Sequence, residues 1–207
     1  MSIFGNWFNR RPAVSLDSIR FNTTGYHSRA FQPNRRDWCT EDDVAITLHF
    51  FDQRPDLPPV PWTPGLLRQF YETPLALTAA RIIECDVTTA GGYPAVWLII
   101  KSPANPIGNS FLGSLTIPFR NFSFVIKVQI SEQESTGLRE AVLMDEALRT
   151  GRIQTVGDRL ITNDWTADDA SYDSRFPLHP LSRVRQEMRR IAESALLEPD
   201  VLAAPLF

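Results

Sequence analysis

A chain of 207 residues, 43% apolar and 22% charged, suits one domain with an extension and holds enough Val, Ile, Leu and Phe to fill a core. A formal net charge of −3 and a pI of about 5.6 remove the electrostatic basis for nucleic-acid binding. No apolar run reaches the roughly eighteen residues of a membrane span. The two cysteines, Cys39 and Cys85, read as buried small hydrophobes in a reducing, cytoplasmic setting.

In the N-terminal stretch MSIFGNWFNRRP, the apolar Ile3, Phe4, Trp7 and Phe8 precede Arg10 and Arg11. A secretory signal has the opposite order. The stretch reads as a loosely held terminus, with a small interfacial anchor as the alternative. A short strand is expected between Ser18 and Thr24, and a polar turn or strand edge over Asp37–Asp43. Val44–Phe51 alternates, with Val44, Ile46, Leu48 and Phe50 on one face.

DQRPDLPPVPWTPG follows, with five prolines in fourteen residues. Proline lacks the amide donor and fixes φ, so this is a stiff crossing loop. A helix is expected over about 65–73, broken at Pro74. Ile83, Cys85 and Val87 alternate with Glu84, Asp86 and Thr88 along the next strand, and Gly91–Gly92 makes a hairpin turn. Ala95–Ile100 is apolar throughout and reads as a central strand. Phe111–Ile117 forms another, after the loop 102–110.

Phe119 to Gly151 carries the clearest pattern. Phe122, Phe124, Ile126, Val128 and Ile130 share one face against Ser123, Lys127 and Gln129, which marks a strand with one buried side. The helix behind it begins at Ser135 or Thr136, good N-caps, and stops at Gly151 after Arg149. At about 100° per residue, Ala141, Val142, Met144 and Leu148 form an apolar sector that includes Asp145. A carboxylate buried there needs a cation such as Arg139 or Arg149.

Beyond Gly151 one more short strand is expected. Then acids and aromatics interleave over Asp164–Phe176. A helix opens at Pro180, capped by His179, and Leu181, Val184, Met188, Ile191 and Ala195 make a narrow apolar stripe. Such a stripe suits docking on the rest of the chain, or a homodimer through residues 180–197.

Consecutive strands on short connections form antiparallel meanders. The fold class is therefore α+β: an antiparallel meander sheet flanked by helices, with a C-terminal helical extension. Residues 1–155 form the domain, and 156–207 an extension docked on it.

The meander of strands, the run FSFVIKVQ and the helix start STGLREAVL resemble the PsbP-like superfamily, and its bacterial DcrB-like branch, over roughly Ile19–Thr150. The resemblance implies an α/β/α sandwich that binds partners without catalysis, in the manner of accessory, chaperone or immunity proteins for secreted toxins. It carries over no catalytic residues and no cofactor. The Pro-rich loop over 54–64 and the residues beyond about 155 depart from it.

The chemistry-bearing residues agree with a non-enzyme. The three histidines, His27, His49 and His179, have no ligand-pair spacing, and no C-x-x-C or H-E-x-x-H occurs, so no metal is expected. There is no G-x-S-x-G elbow or phosphate loop. Cys39 lies among carboxylates, which hold a thiol protonated. Glu84 and Asp86 read as two acids on a wet sheet face. For a protein partner, Asp164, Trp165, Asp168, Asp169, Tyr172 and Phe176 combine hydrogen-bond acceptors with rigid aromatic anchors. For a small ligand, the alternative, Trp62, Phe70 and Tyr71 line a pocket beside the Pro-rich loop. A structural oligomer is the third reading.

Overall fold

The computed structural model describes residues 14–104, 107–133 and 136–207. The N-terminal stretch with Ile3, Phe4, Trp7 and Phe8, and the cap position Ser135, lie outside the described residues. Among the described residues, eleven strands and four α-helices run in chain order: β1 (Ile19–Arg20), β2 (His27–Gln32), β3 (Arg35–Cys39), β4 (Ala45–Phe51), α1 (Pro64–Leu75), β5 (Arg81–Ala90), β6 (Tyr93–Pro103), β7 (Asn109–Pro118), β8 (Ser123–Ser131), α2 (Leu138–Arg149), β9 (Gln154–Val156), β10 (Arg159–Ile161), α3 (Pro180–Ser194), β11 (Leu196–Leu197) and α4 (Pro199–Leu202).

Seven of the strands form one antiparallel sheet in the order β2-β3-β4-β8-β7-β6-β5. It is two meanders joined where β4 pairs with β8, so the α+β antiparallel class expected from the sequence is the observed one. On one face Ile46, Leu48 and Phe50 of β4 meet Phe124, Ile126, Val128 and Ile130 of β8 and Phe111, Leu115 and Ile117 of β7. This is the period-two pattern of the sequence, now buried as one core.

The cover of that core is α3, not α2. Leu181, Val184, Met188 and Ile191 are fully buried in the same core, and α3 crosses β5, β7 and β8. The stripe that suited a homodimer is therefore occupied by the chain's own sheet. Residues 156–207 are correspondingly part of the main body. β11 pairs with β1, Leu206 bridges Phe119, and the Phe207 ring packs 5.4 Å from that of Trp62.

The second core lies on the opposite face, where Leu67 of α1 seals Cys85, Val96 and Leu98, with Leu57, Trp62, Tyr71, Ile82 and Ile100 around them. Complete burial of a leucine contributes about 1.5–3 kcal/mol. Thr63 caps α1 through the Leu66 amide, and Pro64 occupies the first turn. The helix runs through Pro74 to Leu75, slightly past the expected break at 73. Pro74 stands in the last turn, where little helix remains to be broken.

Two further departures have local causes. Ile83, Cys85 and Val87 do not share a face, because the β5–β6 register slips between Ile82 and Glu84. The bulge sends Ile82 and Cys85 toward α1 and Ile83 toward the α3 core. Strands β2 and β3 carry no buried side chain at all, so the alternation that marks a half-buried strand is missing from HSRAFQPNRRDWC.

Candidate functional site

The acidic–aromatic segment, α2 and the start of α3 meet in a buried charge cluster. Lys101, on β6, donates to Glu140 of α2 and, at 3.2 Å, to Asp168. Arg81 reaches the other oxygen of Asp168 at 2.8 Å. Arg139, with no exposed surface, donates to the carbonyls of Ala167 and Asp169, to Ser182 Oγ and to Asp173 Oδ1. Arg185 of α3 joins the same Asp173 oxygen at 2.8 Å and also holds Glu84 and the Asp168 carbonyl.

Four cations, Arg81, Lys101, Arg139 and Arg185, thus face four anions, Glu84, Glu140, Asp168 and Asp173. Each buried charge needs such a partner, because an isolated one is too costly to keep. Burial works against the Glu140 carboxylate, but the Lys101 ammonium bonded to it prevails and holds its pKa below the ordinary carboxylate range.

The cluster turns α2 inside out. Its buried residues are Arg139, Leu143 and Ala147. Its outer side carries Leu138, Val142, Met144 and Leu148, which are 56%, 41%, 37% and 42% exposed. The apolar sector read from the sequence faces solvent. Asp145 sits within it as a wet i,i+4 pair with Arg149 at 3.0 Å, not as a buried charge. The next elements, β9 and β10, form a hairpin whose six residues are all exposed, Val156, Leu160 and Ile161 among them.

Two clefts flank the cluster. One of about 360 Å³ is lined by Arg81, Lys101, Ser102, Asn109, Gly137 and Glu140. Its neighbour, about 470 Å³, shares Arg81 and is bounded by Arg68, Glu84, Asp168, Asp169 and Arg185. The second sets three cations against three carboxylates; in the first, Arg81 and Lys101 stand beside Glu140 and both cations are already bonded to carboxylates.

Among the described residues, Glu132, Glu140 and His179 bring potential metal-ligand atoms within 4.8 Å of one another. Their bonding is wrong for an ion. A metal-bound imidazole keeps a proton on its other nitrogen and donates it to an acceptor. Here Nδ1 of His179 accepts the Leu181 amide at 3.2 Å, so the neutral ring carries its proton on Nε2, where a metal would have to bind. Glu132 already receives the amides of Asn109 and Gly137 and the Asn109 side chain, and Lys101 supplies the cation for Glu140. The trio is a proton-bearing structural group.

The residues singled out from the sequence are divided by the fold. Asp168 is buried in the charge cluster. The Asp169 carboxylate caps the short 3-10 helix Ala170–Arg175 through the Ser171 amide. Tyr172 Oη accepts from Trp165 Nε1 at 3.2 Å and from Arg152 at 3.0 Å. Phe176 lies 5.9 Å from the Arg139 guanidinium carbon. Only Asp164 stands free of these contacts, at a positive φ of 63°. The segment therefore clamps α2 and α3 rather than presenting a row of anchors.

Of Trp62, Phe70 and Tyr71, Tyr71 lines a cleft while the other two pack on aromatic neighbours. Trp62 is packed on Phe207 and donates to the Pro58 carbonyl at 2.8 Å, and Phe70 meets Tyr71 edge-on. A cleft of about 220 Å³ beneath the Pro-rich loop includes Tyr71 but neither Trp62 nor Phe70. What composition-based reading missed is the role of Lys101, Arg139 and Arg185. The available signal was Arg139, which falls on the side of α2 away from its apolar sector and shares that side with Leu143 and Ala147.

Among the described residues, no helix is long and apolar enough to cross a membrane. No family model and no curated protein matches the chain. Among solved structures, PA94 of Pseudomonas aeruginosa, a protein of unknown function, is similar at 15% identity over 69% of this chain and 83% of its own, with a TM-score of 0.33. LpqN of Mycobacterium tuberculosis, involved in cell envelope biogenesis, is similar at 16% identity over 62% of this chain and 77% of its own, TM-score 0.35. A Bacteroides thetaiotaomicron protein reaches 6% identity over 59% of this chain and 41% of its own, TM-score 0.37. Scores this low transfer neither fold nor function to this chain.

Proposed function

We propose that this protein is a non-catalytic protein-binding module whose partner seats on the outer face of α2. The observation that carries this is the inversion of that helix: an arginine is buried while Leu138, Val142, Met144 and Leu148 face water. An exposed apolar face of this kind marks an interaction surface. A helix presented in this way is recognised by a complementary groove, and here Leu138 and Val142, then Met144 and Leu148, stand four residues apart as anchors. The charge cluster supports the same reading, since it fixes α2 from beneath and lowers the ordering cost of docking.

The cations and carboxylates of the clefts bond to one another, which favours a scaffold over a reaction centre. The accessory, chaperone or immunity role implied by the PsbP-like resemblance is of this non-catalytic kind. The test is purification of the tagged chain from its native host beside the variant Val142→Asp/Leu148→Asp. A stoichiometric protein partner with the parent chain, lost with the variant at unchanged melting temperature, is expected. A partner retained by the variant, or a parent chain that purifies alone, overturns the assignment.

A further inference from the structure

The first turn of α3 is held by a group that can take up a proton. His179 precedes Pro180, and its Nδ1 accepts the Leu181 amide at 3.2 Å. The ring is nine-tenths buried, packed edge-on against Phe111 at 5.4 Å, with Nε2 standing 3.4 Å from Glu132 Oε1. Nε2 makes no hydrogen bond there. With Nε2 protonated in the neutral ring, the only site open to a second proton is the Nδ1 lone pair that makes the cap.

We propose that His179 is a proton-operated latch on the N-terminus of α3: neutral, it caps the helix; protonated at Nδ1, it releases the first turn. In the uptake step an N–H bond forms at Nδ1 and the hydrogen bond from the Leu181 amide is lost, leaving two donors facing each other. The new positive charge also lies at the positive end of the helix dipole. Around the ring, Arg139 of α2 opposes the charge, while Glu132 at the end of β8 and Glu140 of α2 favour it. Lys101 of β6 lies over the same Phe111 ring. Burial, followed by Arg139, outweighs the two glutamates, so the folded protein holds the ring neutral below the ordinary histidine value.

Release reaches further than one turn. Ser182 sits in that turn and bonds both Arg139 and Asp173, so acid loosens the clamp that positions α2. The device stands independently of what the outer face of α2 binds.

The test follows the His179 ring and the Leu181 and Arg183 amides, which bond His179 Nδ1 and its carbonyl, by NMR from about pH 7.5 to about pH 5, a range that brackets the ordinary histidine value. After correction for intrinsic exchange, protection of these amides should fall roughly fivefold, the ratio one capping bond supports, in step with the ring's titration. His179→Asn retains a capping oxygen and cannot titrate, so its protection should be flat with pH. Three results overturn the latch: protection that survives titration of the ring, a ring that stays neutral throughout the range, or the same pH dependence in His179→Asn.

Discussion

The ammonium of Lys101 and the carboxylate of Asp168 stand 3.2 Å apart with side chains only 6% and 5% exposed, joining the sheet to the segment that leads into α3. Removing one member of a buried pair strands the other in a medium that solvates it poorly, at about 3–5 kcal/mol. Asp168→Ala should lower the unfolding free energy by about that amount in urea titration. The exposed Asp145–Arg149 pair is the control, and Asp145→Ala should leave stability unchanged within measurement.

The inversion of α2 reverses the usual ranking of its leucines. Leu143 is 2% exposed, and Leu143→Ala should cost about 2–5 kcal/mol. Leu148→Ala, on the outer face, should stay within about 0.5 kcal/mol. Thermal melts of the two variants decide the point, and a larger loss for Leu148→Ala would place α2 in the opposite rotation.

Gly113 on β7 lies beneath α3 between the inward-facing Phe111 and Leu115. A Cβ there would come within 2.8 Å of both Met188 Sδ and Val184 Cγ1. Its value is closeness of approach, not an unusual backbone angle. Gly113→Ala should destabilise by about 1–3 kcal/mol through overpacking, and pairing it with Met188→Ala should restore part of the loss in a double-mutant cycle.

Burial between α1 and the sheet raises the Tyr71 phenol from 10.0 to about 12 and the Cys85 thiol from 9.0 to about 11. Both groups are neutral when protonated, and the unfolded chain loses those protons first. Their contribution to stability is therefore complete below about pH 9 and is lost as pH rises through 11 and 12. Burial and the Glu187 carboxylate raise Tyr26 further still, so spectrophotometric titration should show two late phenolates, and Tyr71→Phe should remove the earlier one. Cys85 should resist alkylation at about pH 8, where little thiolate is present.

The strands with one buried side were legible because their period of two is written in β-branched and aromatic residues. Phe124, Ile126, Val128 and Ile130 occupy the core as their spacing implies. Other elements were hidden for physical reasons. Strands β2 and β3 contribute only the half-buried Trp38 to the core, and the bulge in β5 breaks the alternation on which its face assignment rests. Helix α2 misled more deeply. Its apolar sector was correctly located around Val142 and Leu148, but the direction in which it points was set by Arg139, whose partners lie 28 to 43 residues away in the chain. Periodicity locates a stripe and says nothing about a distant carboxylate. The stripe of α3 had no such competitor, and it docks where an amphipathic helix should.

The junction between β4 and β8 bears on how the chain reaches this state. Ala45 lies opposite Gln129 and Phe51 opposite Ser123, whereas every other pairing in the large sheet joins strands adjacent in sequence. Each meander can form through local hairpins, but their union must close a long loop, the slow kind of contact. During synthesis the three N-terminal strands of the sheet wait for β8 with Ile46, Leu48 and Phe50 bare, and the joined sheet waits again for α3. Those intervals are when a chaperone or an aggregating neighbour would find this protein most open.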